Sequence, residues 1–315
     1  MKLTDRIQYS AAGLTNLIHI VVTGDTSQDP AGSSYKIPLQ QIVDLVSVSP
    51  STQYWTSGST GTNSIKVINS STIDATGNYA VAEGYDTKAT GATSHAEGQS
   101  TTAGGESAHS EGDSTRALGD ASHTEGSNTT ALSQSAHAEG NYTTASGNYS
   151  HTEGDSTTAL GSRSHAEGYL TKATGEYSHT EGLQTTASGI QSHAEGFTTK
   201  ATGESAHSEG NSTTASGSRS HAEGSQTIAS NDYAHAEGYL TIASGIASHA
   251  EGQTTTASGG ASHAEGLSTT SIGAYSHTEG QLSTAIGTNS HAGGLSSIAS
   301  GTTSFVFGTS SIEIG

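Results

Sequence analysis

The chain has 315 residues, no cysteine, and a formal charge of −19 from 29 acidic and ten basic side chains. The scattered Lys and Arg form no basic stripe that could track a phosphate backbone, and without thiols there is neither a disulfide framework nor thiolate chemistry. Only 30% of residues are hydrophobic, which excludes an ordinary globule with a large aliphatic core, and no run approaches the ~20 apolar residues of a membrane-spanning helix.

Residues 1–52 read as a small separate α+β module, because all three prolines (Pro30, Pro38, Pro50) lie within it. Leu17–Val22 is apolar and β-branched and predicts a strand; it is too short and too polar in its flanks for a secretory leader. Gly24 to Ser34 is rich in Asp, Ser, Gly and Pro and predicts a loop. Pro38 is placed to open a short helix carrying Ile42, Val43, Leu45 and Val46 on one side and ending before Pro50. Residues 53–72 form a bridging segment, polar apart from Tyr54, Trp55 and the strand-like Ile65-Lys66-Val67-Ile68.

From 73 to 308 one fourteen-residue unit repeats: Ser-His-Ala-Glu-Gly-x-x-Thr-x-Ala-x-Gly-x-x. Its register runs from Val81-Ala82-Glu83-Gly84 to Phe305-Val306-Phe307-Gly308, and histidine returns fifteen times, from His95 to His291. A disordered chain has no reason to keep such a register. A fixed short period is the signature of a solenoid, each unit one coil stabilised by its neighbours. At ~4.8 Å per coil the row predicts a rod of about 80 Å. Residues 309–315 are expected to form a C-terminal cap, with the Phe305–Phe307 segment closing the roll against edge-to-edge pairing.

Each unit divides into two strands, Ser-His-Ala-Glu-Gly and Thr-x-Ala-x-Gly, joined by two-residue corners. Alternation across a strand sends Thr, Ala and Gly of the second segment (Thr185, Ala187, Gly189) into a coil too thin for larger side chains. The residues between them, such as Arg116, Lys172 and Ile228, vary and read as solvent-facing. In the first segment Ser and Ala share the interior, so His and Glu point outward. Outward residues ought to drift from coil to coil. These do not, which marks a restrictive environment for His95, Glu97, His109, Glu111, His123, Glu125, His137, Glu139, His151, Glu153, His165, Glu167, His179, Glu181, His193, Glu195, His207, Glu209, His221, Glu223, His235, Glu237, His249, Glu251, His263, Glu265, His277, Glu279 and His291. Apolar residues stand at the ends of this row: Val81, Phe305 and Phe307.

The unit resembles the head repeat of YadA-like trimeric adhesins, Ser-Val-Ala-Ile-Gly-x-x-Ala-x-Ala-x-Gly-x-x, over about residues 73–315. The resemblance implies an all-β, left-handed parallel β-roll, a homotrimer, and a trimer core faced by the Val and Ile positions, which here are His and Glu. The Ser-His-Ala-Glu-Gly form is also similar to repeats of bacteriophage tail and fibre proteins.

Three readings of the His–Glu row follow. The first is a trimer-axis ladder in which each histidine meets a glutamate of another chain or of the next coil, since carboxylates leaving water need partners. The others are a transition-metal channel of histidine rings and a solvated face on a monomeric, ice-binding solenoid. The ladder is preferred, because fifteen specific metal sites are excessive and other exposed positions do drift. No protein-bound cofactor is expected, with room only for adventitious metal or anion on the axis. Catalysis is not expected: the chain has no His-Glu-x-x-His, and its His-x-Glu lacks the Pro-Cys-x-x-Cys of zinc deaminases. The expected function is a phage fibre made in the host cytoplasm and carried on the virion. Its N-terminus would bind other virion proteins, and the corner aromatics Tyr85, Tyr142, Tyr169, Phe197 and Tyr239 would face a host glycan or protein. Nucleic acid and membrane are not expected partners; the alternatives are a bacterial cell-surface adhesin and a purely structural spacer.

Overall fold

The computed structural model describes residues 17–22, 33–38, 55–67 and 73–313. The chain divides into two compact units, Met1–Thr56 and Ser57–Gly315. In the first, Leu17–Val22 is a strand, as expected, and pairs antiparallel with Ser33–Pro38 in the register Leu17↔Pro38 to Val22↔Ser33. Two expectations change here. Ser33 and Ser34, placed in a loop, begin this second strand, and Pro38, placed at the start of a helix, ends it. Tyr35 and Ile37 favour extended backbone, and a proline forces the residue before it away from the helical region. The helix expected after Pro38 and the loop over 24–32 lie outside the described residues.

The second unit is a parallel β-solenoid; among the described residues the chain has no helix. Two sheets run its length. One is built from the His strands and continues in register from Ile65 to Thr309. The other is built from x-Ala pairs and runs from Asp74 to Glu313. Register is strict: His193 pairs with His207, Glu195 with Glu209, and Ala187 with Ala201. The coil-to-coil bonds are of ordinary length, as in His193 N–H to Ala206 C=O at 2.9 Å.

The strands are shorter than the pattern suggests. His strands begin at the histidine, not at the serine before it, and span five residues or two; the other strand is reduced to two residues, as in Thr186–Ala187. The corners explain this. Each coil makes three left-handed turns, seen at Gly196 (φ 107°), Thr198 (φ 57°) and Ser205 (φ 54°). A side chain at Gly196 would meet the carbonyl of Gly210 at 2.2 Å, so that corner admits only glycine. The other two corners hold varied residues at a conformational cost of about 1–2 kcal/mol each. Their N–H groups donate backwards: Thr198 to Leu183 and Ser205 to Ile190, both at 2.8 Å.

The interior is a double file of small side chains. Ala187, Ala194, Thr185, Thr199 and their equivalents are wholly buried. Most of the serines at the heads of the His strands bond the carbonyl three residues back, as Ser192 Oγ does to Gly189 at 2.7 Å. Threonine is less well served. Eleven of its hydroxyls, from Thr87 to Thr255 in the same position of successive coils, are enclosed without a partner among the described residues. Where alanine opposite is replaced by serine, the hydroxyl is satisfied: Ser208 Oγ and Thr213 Oγ1 lie 2.7 Å apart.

Both ends of the roll differ from the sequence expectation. Ile65 stacks on Val81 and Lys66 on Ala82, so the bridging segment from Ser57 already forms a coil, with a step of sixteen residues instead of fourteen. At the other end Ile312–Glu313 continues the Ala sheet past Gly308, so the segment expected as a cap completes one more coil. Only Val306 of Phe305-Val306-Phe307 turns inward; the two phenylalanines lie on the outer face, where the alternation of the strand puts them.

Candidate functional site: the histidine–glutamate face

Alternation along the His strand sends Ser192 and Ala194 inward and His193 and Glu195 outward, and the unbroken register repeats this in every coil. The result is two parallel columns on one face. The histidines from His95 to His277 form an offset stack, ring centroids 4.7–4.9 Å apart and planes within 15° of parallel. At the last step the stack breaks: His291 is tilted 54° from His277 and meets the ring of Phe305 edge-on at 4.7 Å.

His and Glu do come together, but unevenly. His263, His277 and His291 bond through Nε2 to Glu251, Glu265 and Glu279 of the preceding coil at 3.0, 3.0 and 3.1 Å. Along most of the column the nearest carboxylate stands at 3.4–3.9 Å, as His193 to Glu195 at 3.5 Å and His165 to Glu167 at 3.9 Å. That is too long for a strong bond. Twelve of the fifteen histidines, His95 to His249, therefore have an enclosed Nε2 without a hydrogen-bond partner, although about a third of each side chain is exposed.

The columns shape each other's titration. Burial, then the charge of the ring in the following coil, holds His123, His137, His151 and His165 below the ordinary histidine range. The glutamates alternate. Glu111, Glu139 and Glu167 are each pushed up to about 7, chiefly by sharing a proton with the carboxylates of adjacent coils. Glu97, Glu125, Glu153 and Glu181 accept those protons and are held below their ordinary value. A groove of about 700 Å³ follows this column from Glu111 to Glu181, its other wall the bare backbone of Gly126 to Gly182.

Groups such as His193, Glu195 and His207 bring possible metal-ligand atoms within 4.8 Å of one another. Two nitrogens sharing one metal at ~2.1 Å can be no more than about 4.2 Å apart. Parallel rings at coil spacing direct their lone pairs side by side, so a single roll offers no preformed chelate between successive histidines.

The corner aromatics Tyr85, Tyr142, Tyr169, Phe197 and Tyr239 are all exposed and occupy the two corner positions after the repeat glycine. The opposite corner holds a feature that the sequence reading missed. Arg163 lies between Tyr149 and Tyr177, its guanidinium 5.4 and 5.3 Å from the two rings, and donates to Tyr177 Oη at 3.1 Å. The three are fourteen residues apart, so the period itself carries the signal.

No curated protein matches the chain in sequence. Residues 138–164, 250–276 and 279–312 match the YadA head domain repeat. The remaining coils keep the same register and strand pairing across the gaps between these segments. These three stretches of the roll are similar to YadA head domain repeats.

Proposed function

We propose that this chain is a non-enzymatic, adhesive fibre protein whose copies associate as a homotrimer through the His–Glu face. One observation carries this reading: from His95 to Glu279 the outward His and Glu recur unchanged with about a third of each side chain exposed, while other exposed positions vary from coil to coil. Polar and charged groups that leave water need partners. A second row of the same kind supplies them, because histidine can donate and glutamate can accept. The repeat family supports it, since YadA-like heads are adhesive β-rolls.

The Ser-His-Ala-Glu-Gly form favours a phage tail or head fibre. Residues 1–52 then join other virion proteins, and Tyr85, Tyr142, Tyr169, Phe197 and Tyr239 meet a host-surface glycan or protein. The match to YadA repeats favours equally a bacterial cell-surface adhesin. Peptide mass spectrometry of purified virions and of cell envelopes separates the two placements. Association is tested by light scattering on the full chain. A particle of three times the 31.6 kDa chain mass is expected, and a stable monomer at micromolar concentration overturns the reading.

A further inference from the structure

The His–Glu face is degenerate to translation. Moving one copy along another by a single coil of 4.7–4.9 Å puts every histidine back beside an equivalent histidine and every glutamate beside an equivalent glutamate. A row of fifteen loses only one coil of contact in such a slip. Nothing in the repeat itself therefore fixes which coil of one copy meets which coil of the next.

The ends of the column are different. Ile65 and Val81 occupy the histidine position in the first two coils and pair with each other. Phe305 occupies it in the last described coil, and Phe307 takes the glutamate position beside it. On the roll alone Phe305 is 66% and Phe307 63% exposed, so neither ring is committed to the interior. The preceding coil is altered to match. Its glutamate position is Gly293, where a side-chain Cβ would stand 2.5 Å from Cδ2 of Phe307. The missing side chain leaves room for that ring, and the edge contact of Phe305 with His291 orients the other.

We propose that Phe305 and Phe307, with Ile65 and Val81 at the opposite end, set the register in which copies of this chain meet. The proposal rests on association through the His–Glu face. In register, apolar end meets apolar end and the rings leave water together. One coil out of register, Phe305 and Phe307 of one copy face His291 and Gly293 of another, and on the opposite side an aromatic pair projects beyond the contact. Hydrophobic burial scales with area removed from water, so the aligned arrangement is favoured.

The absence of cysteine allows a direct test. Chains carrying Glu195→Cys and Glu209→Cys are co-expressed, oxidised, and their cross-linked peptides quantified by mass spectrometry. With native ends, 195–195 and 209–209 links are expected to exceed 195–209 links at least tenfold. In the Phe305→His/Phe307→Glu background, which extends the repeat to the end, the offset links are expected to rise at least tenfold relative to the aligned ones, with association retained by light scattering. Phe305→Val/Phe307→Ile, which keeps the end apolar, is expected to hold the native ratio and guards against simple misfolding. An unchanged ratio in the His/Glu variant, or loss of association in that variant alone, overturns the register proposal and leaves the association standing. A parent chain that is monomeric overturns both.

Discussion

Glu251 Oε1 and His263 Nε2 are 3.0 Å apart, so a glutamate of one coil holds the histidine of the next, twelve residues on. Ten coils earlier the same two positions, Glu111 and His123, make no such bond, and His123 Nε2 is enclosed and unpaired. The same sequence unit therefore has two states of satisfaction along one face, which bears on how single substitutions will behave.

In the assembled protein, His193→Val is expected to destabilise by about 1–3 kcal/mol, because it leaves carboxylates without donors. Changing His193 and Glu195 together to Val and Ile is expected to cost less than the two single changes added. A double-mutant cycle on thermal unfolding checks this; strict additivity rejects pairing across the face.

Thr199→Val removes a wholly buried hydroxyl that has no partner while keeping the shape of the side chain. It is expected to raise stability by about 1 kcal/mol. Ser208 and Thr213 show the other remedy, so Ala194→Ser, which places a hydroxyl opposite Thr199, is expected to be neutral or mildly stabilising. Melting temperatures of the two variants against the parent chain decide it.

Gly196→Ala faces both a backbone at φ 107° and a carbonyl oxygen 2.2 Å from the new methyl group. It is expected to cost more than about 2 kcal/mol and to raise amide exchange in the two coils that meet there. Thr198→Gly, at the φ 57° corner two residues on, is expected to be neutral or slightly stabilising.

The pH dependence has two opposed parts. Histidines such as His137 and His151 have folded pKa values below the unfolded value. Their contribution is present above the unfolded pKa and is lost as pH falls from about 6.5 through the folded value. Glu111, Glu139 and Glu167, pushed up to about 7, behave the other way: their contribution is complete below the unfolded value near 4.5 and is lost as pH rises through about 7. Potentiometric titration of the folded and urea-unfolded chain is expected to show both parts: the folded form gives up histidine protons at lower pH than the unfolded form and holds a few glutamate protons up to about pH 7.

The coil itself was legible in the sequence because a period of fourteen with alternating small residues leaves few ways to place them. Which side chains turn inward followed from alternation alone, as Thr185 and Ala187 show. The first coil was not legible, since Ile65 lies sixteen residues before Val81 and a search at fourteen passes over it. Strand lengths were overestimated because two of the three left-handed corners carry ordinary residues such as Thr198 and Ser205, with no glycine to mark them. The histidine stack follows from register plus coil spacing, whereas the unequal Glu–His distances depend on rotamers that no pattern reports.

If other copies of the chain cover the His–Glu face, the glutamates of that face, about a third exposed on a single roll, lose their access to solvent. Carbodiimide coupling of carboxylates under native conditions, followed by peptide mass spectrometry, reads this residue by residue. Glu97 to Glu265 are expected to react at least tenfold more slowly in the oligomer than in the unfolded chain. Reaction of these glutamates at the unfolded rate while the protein remains oligomeric would place the contact on another face.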